Sequence, residues 1–110
     1  MAESAELISV VIPVYNEAES IVPCLHGIAA ALQKHRHEIL LCHDTDEDTT
    51  LPAVRNMPDR PDGVRFVRNH AGRGPANAMR AGIEAASGDV IVTMMADLSD
   101  DPESIPAMAR

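Results

Sequence analysis

The sequence predicts an α/β fold, a parallel sheet with helices on both faces and strand order 3-2-1-4. Three observations predict it. Apolar runs of strand length alternate with segments of helical periodicity through short links, β-α-β-α-β-α-β-α, which is the pattern of right-handed crossover connections. The run from Val90 to Met95 is unbroken and opens with β-branched residues, as in a strand covered on both faces. Two runs open directly into acidic loops, His43 to Thr50 and Asp97 to Asp101, at the position where such sheets keep their ligand crevice.

Each element has its own signal. Leu7 to Val14 is strand one, a β-branched run stopped near Pro13, which has no N–H to give to a ladder. Asn16 is the expected N-cap of helix one, with Glu19 three residues on, and Ile21, Val22, Leu25, Ile28, Ala29 and Leu32 follow at helical spacing. Lys34 to His37 suit its negative end. Glu38 to Cys42 is strand two, and Asp48 or Thr49 is expected to cap a short helix through Val54 and Arg55. The turn Pro58 to Gly63 leads into strand three, Val64 to Arg68. Pro75 to Ala86 is a helix rich in small residues, opened by proline and closed by Ser87-Gly88. Strand four is Val90 to Met95, and Ser99, Asp100 or Asp101 is the expected cap of a helix starting near Pro102. The result is Rossmann-like. Its switch point, between strands one and four, brings Tyr15 to Glu17 beside Asp97, with Asp44 on the neighbouring strand.

Bulk properties narrow the functions. With 110 residues the chain is one domain at most. Nine basic against seventeen acidic residues give a net charge of −8, which disfavours nucleic acid and anionic membrane surfaces as partners. Tyr15 and Phe66 are the only aromatics, so any stacking on a base falls to one of them. Cys24 and Cys42 have neither metal-ligand nor redox spacing and read as reduced core thiols, which points to the cytoplasm. His26, His35 and His37 read as solvated residues of the first helix. The first residues lack signal-peptide organisation, and no run reaches the ~20 apolar residues of a membrane span.

Dinucleotide binding needs G-x-G-x-x-G after strand one, but strand one ends in Pro13-Val-Tyr-Asn-Glu17. The run Gly72-Arg-Gly74-Pro-Ala-Asn77 lacks the third glycine and follows strand three, and a P-loop is missing. What remains is a crevice with carboxylates from two strand ends and one aromatic, a design that binds a diphosphate through a divalent cation. Asp100 and Asp101 fit the capping role, whereas Asp97 lies too far before Pro102 to cap a helix.

Val10 to Glu17, the acidic loop His43 to Thr50, Gly72-Arg-Gly74 with Ala78 and Gly82, Ala86 to Val92 and Ala96 to Pro102 together resemble the motifs of family 2 glycosyltransferases, in the family's order. The resemblance is strongest to the dolichyl- or polyprenyl-phosphate sugar transferase branch. It implies the nucleotide-binding half of a GT-A fold and transfer of a sugar from a nucleotide-diphosphate donor, with a lipid phosphate as acceptor. By the same resemblance Pro13, Tyr15, Glu17, Asp44 and Ala96 bind the donor. Asp97, as second acid of the Asp-x-Asp element, holds Mg2+ or Mn2+ with Ser99 and serves the leaving group in catalysis, not as a base. Two positions depart from the family pattern: Met95 stands for the first acid of that element, and His43 for the first acid after strand two.

Three functions follow as expectations. The first is the N-terminal donor-binding part of a glycosyltransferase, residues 1–110, truncated before its acceptor-facing residues and so binding donor without turnover. The bare outer edge of strand four then invites self-association, and the full-length protein works in the cytoplasm at the inner face of a membrane. The second is a catalytically inactive nucleotide-binding or regulatory module, suggested by Met95 and His43. The third is a scaffold whose acidic loops are solvated turns.

Overall fold

The computed structural model describes residues 6–96. Seven elements follow in order: β1 (Leu7–Pro13), α1 (Ile21–Ala31), β2 (Arg36–His43), α2 (Thr50–Arg55), β3 (Val64–Arg68), α3 (Pro75–Ala85) and β4 (Val90–Thr93). The strands form one parallel sheet in the order β3-β2-β1-β4, as the sequence predicts. In register, Val10 of β1 lies between Ile39 of β2 and Val92 of β4. The helix expected from Pro102 lies outside the described residues.

Alternation along β1 divides the core. Ile8, Val10, Ile12 and Val14 join Ile39, Leu41, Val92 and Met94 on one face, closed over by Ile21, Cys24, Leu25, Ile28 and Leu32 from the α1 side and by Val54 of α2. Burying each of these large side chains stabilises by ~1.5 to 3 kcal/mol, so this face carries most of the hydrophobic stabilisation. On the other face Val11, Leu40 and Cys42 meet Ala78 of α3. Both cysteines are buried and neither is in a disulfide, and burial pushes the Cys42 thiol up to about 11, so it stays protonated and packs as an apolar group.

The small residues of α3 let it lie close to the sheet. A methyl group at Gly82 would overlap Cys42 Sγ and Val11 Cγ1, and both of those side chains belong to fully buried strand residues with no room to yield. Gly82→Ala is therefore expected to destabilise the fold by about 1 to 3 kcal/mol despite its better helix propensity. A shift in the urea midpoint measures it, and an unchanged midpoint would show that α3 can lift freely.

At the N-terminal end of the sheet a polar cluster ties the last helix to the strands. The buried Ser9 hydroxyl donates to Glu38 Oε2 at 2.6 Å and accepts from the Gly88 N–H at 2.8 Å. Ser87 N–H donates to the same Glu38 oxygen at 2.6 Å. Arg65 reaches Glu38 Oε1 at 3.4 Å and caps the α3 carboxyl end through Ala85 O at 2.6 Å.

Three local expectations are corrected. Asn16 does not cap α1, which starts five residues later behind Ser20, with no side-chain cap at all; its side chain is used elsewhere, as described below. Lys34 to His37 do not line the end of a helix, because α1 closes at Leu32 and Arg36 and His37 already pair in β2 with Leu7 and Ile8. β4 ends at Thr93, and it is not covered on both faces: Val92 is buried, but Ile91 and Thr93 are exposed. The reason is position in the sheet. β4 pairs only with β1 among the described residues, and α3 sits over β1, β2 and β3.

Candidate functional site

The carboxyl ends of β1, β2 and β3 hand over to three loops that meet around a cleft of about 390 Å³. Pro13 ends β1 and Tyr15 and Glu17 follow in the first loop, Asp44 comes from the second, and Arg73 and Gly74 come from the third, with Pro75 opening α3. Pro13 can stand here because Val14 N–H, the next donor, already bonds Cys42 O at 2.9 Å. The N–H that proline lacks would face β4, whose ladder to β1 ends at Val11 and Thr93. Tyr15 lies at the rim with 68% of its surface exposed, so its ring is available to a ligand.

Asp44 is the organising side chain. Its Oδ1 accepts from Asn69 Nδ2 at 2.8 Å and its Oδ2 from the Gly74 N–H at 3.0 Å. Burial alone would raise its pKa, but these two bonds, with the positive charge of Arg73 and the His43 ring nearby, hold the carboxyl below its ordinary value. Asn69 is itself buried and braces the loop, donating also to Gly72 O and accepting from Ala71 N–H. Gly74 has φ near 120°, a conformation open to glycine alone, and it aims its N–H at Asp44 where α3 begins. Each Asp44 oxygen thus keeps a lone pair beyond the bond it already makes.

Four of the residues expected in the site, Pro13, Tyr15, Glu17 and Asp44, line this one cleft. Ala96 does not: its side chain is fully buried in the core beside Met94. Asp97 and Ser99 lie outside the described residues. His43 is buried and turns to the α2 face, where its Nδ1–H donates to Thr45 O at 3.0 Å and its ring meets Phe66 edge-on at 6.1 Å. It therefore shapes the loop from behind, leaving Asp44 as the residue at the cleft.

Sequence reasoning misses Arg73 and Pro75, which also line the cleft, and Asn69, which positions Asp44. Among the described residues Arg73 is the only cation lining it, and its signal was available: an arginine between two glycines, immediately before a helix opened by proline. Asn69 carries no such pattern. A wider cleft of about 640 Å³ between β3 and α3 includes Arg68, His70 and Arg80, but Arg68 there is committed to Asp44 O and Asp46 Oδ1.

Among the described residues no three His, Cys, Asp or Glu side chains come together as a metal site. Met95 occupies the cleft wall where the resemblance puts an acid, and Asp44 is held by an amide and a peptide N–H.

The comparison with known families decides the class: the model of glycosyl transferase family 2 matches residues 9–110. The chain belongs to glycosyl transferase family 2. Among curated relatives of this family 2 chain, dodecaprenyl-phosphate galacturonate synthase of Rhizobium johnstonii is 39% identical over 109 residues, covering 96% of the chain and 32% of the relative. Undecaprenyl-phosphate 4-deoxy-4-formamido-L-arabinose transferase of Pseudomonas syringae is 36% identical over 111 residues, again covering 96% of the chain and 32% of the relative. The chain thus spans about a third of the length of these relatives. Among solved structures, glucosyl-3-phosphoglycerate synthase of Mycobacterium tuberculosis, in complex with Mn2+, UDP and glucosyl-3-phosphoglycerate, superposes with a TM-score of 0.75 at 23% identity, over 96% of the chain and 39% of that protein. A mannosyltransferase of Pyrobaculum calidifontis in complex with GDP-Man and Mn2+ gives 0.64 at 28% identity, over 82% and 27%. The α/β sheet in order 3-2-1-4 matches the GT-A glycosyltransferase fold.

Proposed function

We propose that residues 1–110 are the donor-binding N-terminal part of a glycosyltransferase that moves a sugar from a nucleoside diphosphate to a polyprenyl phosphate. The observation that carries this is the cleft at the strand ends where Pro13, Tyr15, Glu17 and Asp44 converge with Arg73. Two relatives that use polyprenyl phosphates by name support the acceptor class. Asp44 and Glu17 offer acceptors to the hydroxyls and N–H groups of a nucleoside, Tyr15 offers a ring face, and Arg73 offers a positive charge to the phosphates. In the reaction an acceptor phosphate oxygen bonds the anomeric carbon as the bond from that carbon to the donor diphosphate breaks. A bound Mg2+ or Mn2+ would stabilise the charge left on the diphosphate. Asp97 and Ser99 are the residues proposed to hold it; Mn2+ accompanies the nucleotide in both solved structures named above.

Calorimetry with UDP and GDP tests this reading. Wild type is expected to bind one of them more tightly with Mn2+ or Mg2+ present, and Asp97→Asn to remove most of that gain, since replacing even an outer-shell partner of a metal ligand costs roughly 10- to 100-fold in affinity. Nucleotide affinity that ignores the cation would instead favour the inactive module, the second reading, which rests on Met95 at the cleft wall. Sugar transfer by a longer chain that adds the remaining two thirds of the relatives' length, absent from the 110-residue chain, separates the two.

Two further parts of the proposal concern placement. No helix among the described residues is long and apolar enough to cross a membrane; work at the inner membrane face is proposed from the polyprenyl phosphates in the relatives' names. Among the described residues β4 is an edge strand of the sheet, and self-association is proposed through that edge. A sedimentation coefficient that does not change with concentration would remove that idea.

A further inference from the structure

The loop carrying Tyr15 and Glu17 is fastened to the start of α2 by three hydrogen bonds, and a fourth ties Asp48 to Thr50 within that start. Asn16 N–H donates to Asp48 Oδ1 at 3.0 Å, and Thr50 N–H donates to the same oxygen at 2.8 Å. In return Thr49 N–H donates to Asn16 Oδ1 at 3.0 Å. Glu17 N–H donates to the Thr50 hydroxyl at 2.8 Å. Asp48 is 2% exposed and Thr50 wholly buried, so water competes little for the bonds that end on these two side chains. Asn16 completes the fastening at φ 51°, a left-handed conformation that asparagine tolerates better than most side chains.

We infer that Asp48, Thr50 and Asn16 are positioning residues that hold Tyr15 and Glu17 ready for the donor. The backbone on either side of Tyr15 is pinned, through Val14 N–H to Cys42 O and Asn16 N–H to Asp48, while the Tyr15 ring itself stays exposed. That combination fixes where the ring stands without covering it. Capping of α2 alone would need only the Asp48 bond to Thr50 N–H; the bonds to Asn16 and Glu17 add nothing to that helix. A loop of three residues left free must be ordered by the ligand, and each ordered residue reduces the affinity that remains.

The chain supplies its own reporter, since Tyr15 is its single tyrosine and it has no tryptophan. Thr50→Val keeps the shape of the buried side chain and deletes only the acceptor for Glu17 N–H. Asp48→Ala deletes both bonds to Oδ1, and Asp48→Asn restores them, because both end on one oxygen that an amide also presents. In Thr50→Val and Asp48→Ala, Tyr15 fluorescence anisotropy is expected to fall, acrylamide quenching to rise and nucleotide affinity to drop roughly tenfold, with unchanged far-ultraviolet circular dichroism. Asp48→Asn is expected to recover all three readouts. If Asp48→Ala does not fold, Thr50→Val decides alone, and wild-type anisotropy and quenching in that variant overturn the inference. The affinity arm rests on the donor-binding reading above. A wild type that binds no nucleotide would remove that reading, while the fluorescence arm still decides whether the fastening holds the loop.

Discussion

Asp44→Ala is expected to weaken nucleotide binding roughly 10- to 100-fold, by the same factor with and without a divalent cation. The factor follows from what the carboxylate does twice over. It offers its remaining lone pairs to the proposed nucleoside, and it holds Asn69 Nδ2 and Gly74 N–H, which set the shape of the loop carrying Arg73. Independence from the cation follows because Asp44 is proposed to meet the nucleoside and not the diphosphate. Asp44→Asn separates the two jobs: it keeps an acceptor for one donor but turns an N–H toward the other, so it should fall between wild type and alanine. Calorimetry on the three proteins, with and without Mn2+, reads this directly. Equal affinity of alanine variant and wild type would take Asp44 out of the site.

Glu38→Ala is expected to cost about 2 to 3 kcal/mol of stability while leaving the cleft intact. Its carboxylate accepts from the Ser9 hydroxyl and Ser87 N–H at one oxygen and meets Arg65 at the other. Ser9 is wholly buried, so the alanine variant strands its hydroxyl and loosens the link between α3 and β4. The half-exposed Arg65 contributes little to this sum, because solvent screens it. Urea unfolding of Glu38→Ala and Glu38→Gln gives the size, and a loss below ~0.5 kcal/mol in both would show the cluster to be incidental.

The same carboxylate sets an acid limit. Burial would raise the Glu38 pKa, but the bonds from Ser9 and Ser87 and the charge of Arg65 outweigh it and hold the folded value below the ordinary 4.5. A depressed folded value means that the folded state gives up its proton more readily than the unfolded chain. Its stabilisation is therefore complete above the ordinary value and is lost as pH falls through the lower folded one. Asp44 adds the same sign from its ordinary 3.8 downward. The stability of Glu38→Gln should thus depend less steeply on pH in the acid range than that of wild type.

Much of this was readable before any coordinates. The alternation of strand and helix patterns determines a parallel α/β sheet, because strands that follow one another through a helix must run the same way. Tyr15, Glu17 and Asp44 were readable as one group for the same reason, since they lie in the loops after two strands and all strand ends of a parallel sheet point to one side; Pro13 joined them through the family resemblance. The paired roles of Asn16 and Asp48 were not readable. Asn16 carries a cap signature in sequence, Asn followed by Glu three residues on, yet its side chain bonds a residue 33 positions away. A local pattern contains no information about which distant loop comes to meet it.

What the sequence by itself determined is the fold class, the strand order and the end of the sheet at which the site lies, since these rest on periodicity and on the handedness of connections. Only the tertiary structure decided how that end is built. It put Ala96 in the core and left β4 half covered, because α3 spans β1 to β3 and stops short of β4. It also placed Arg73 in the cleft and left Asp44 braced from behind by Asn69. These outcomes depend on distances between residues far apart in the chain, which packing sets and residue order alone does not.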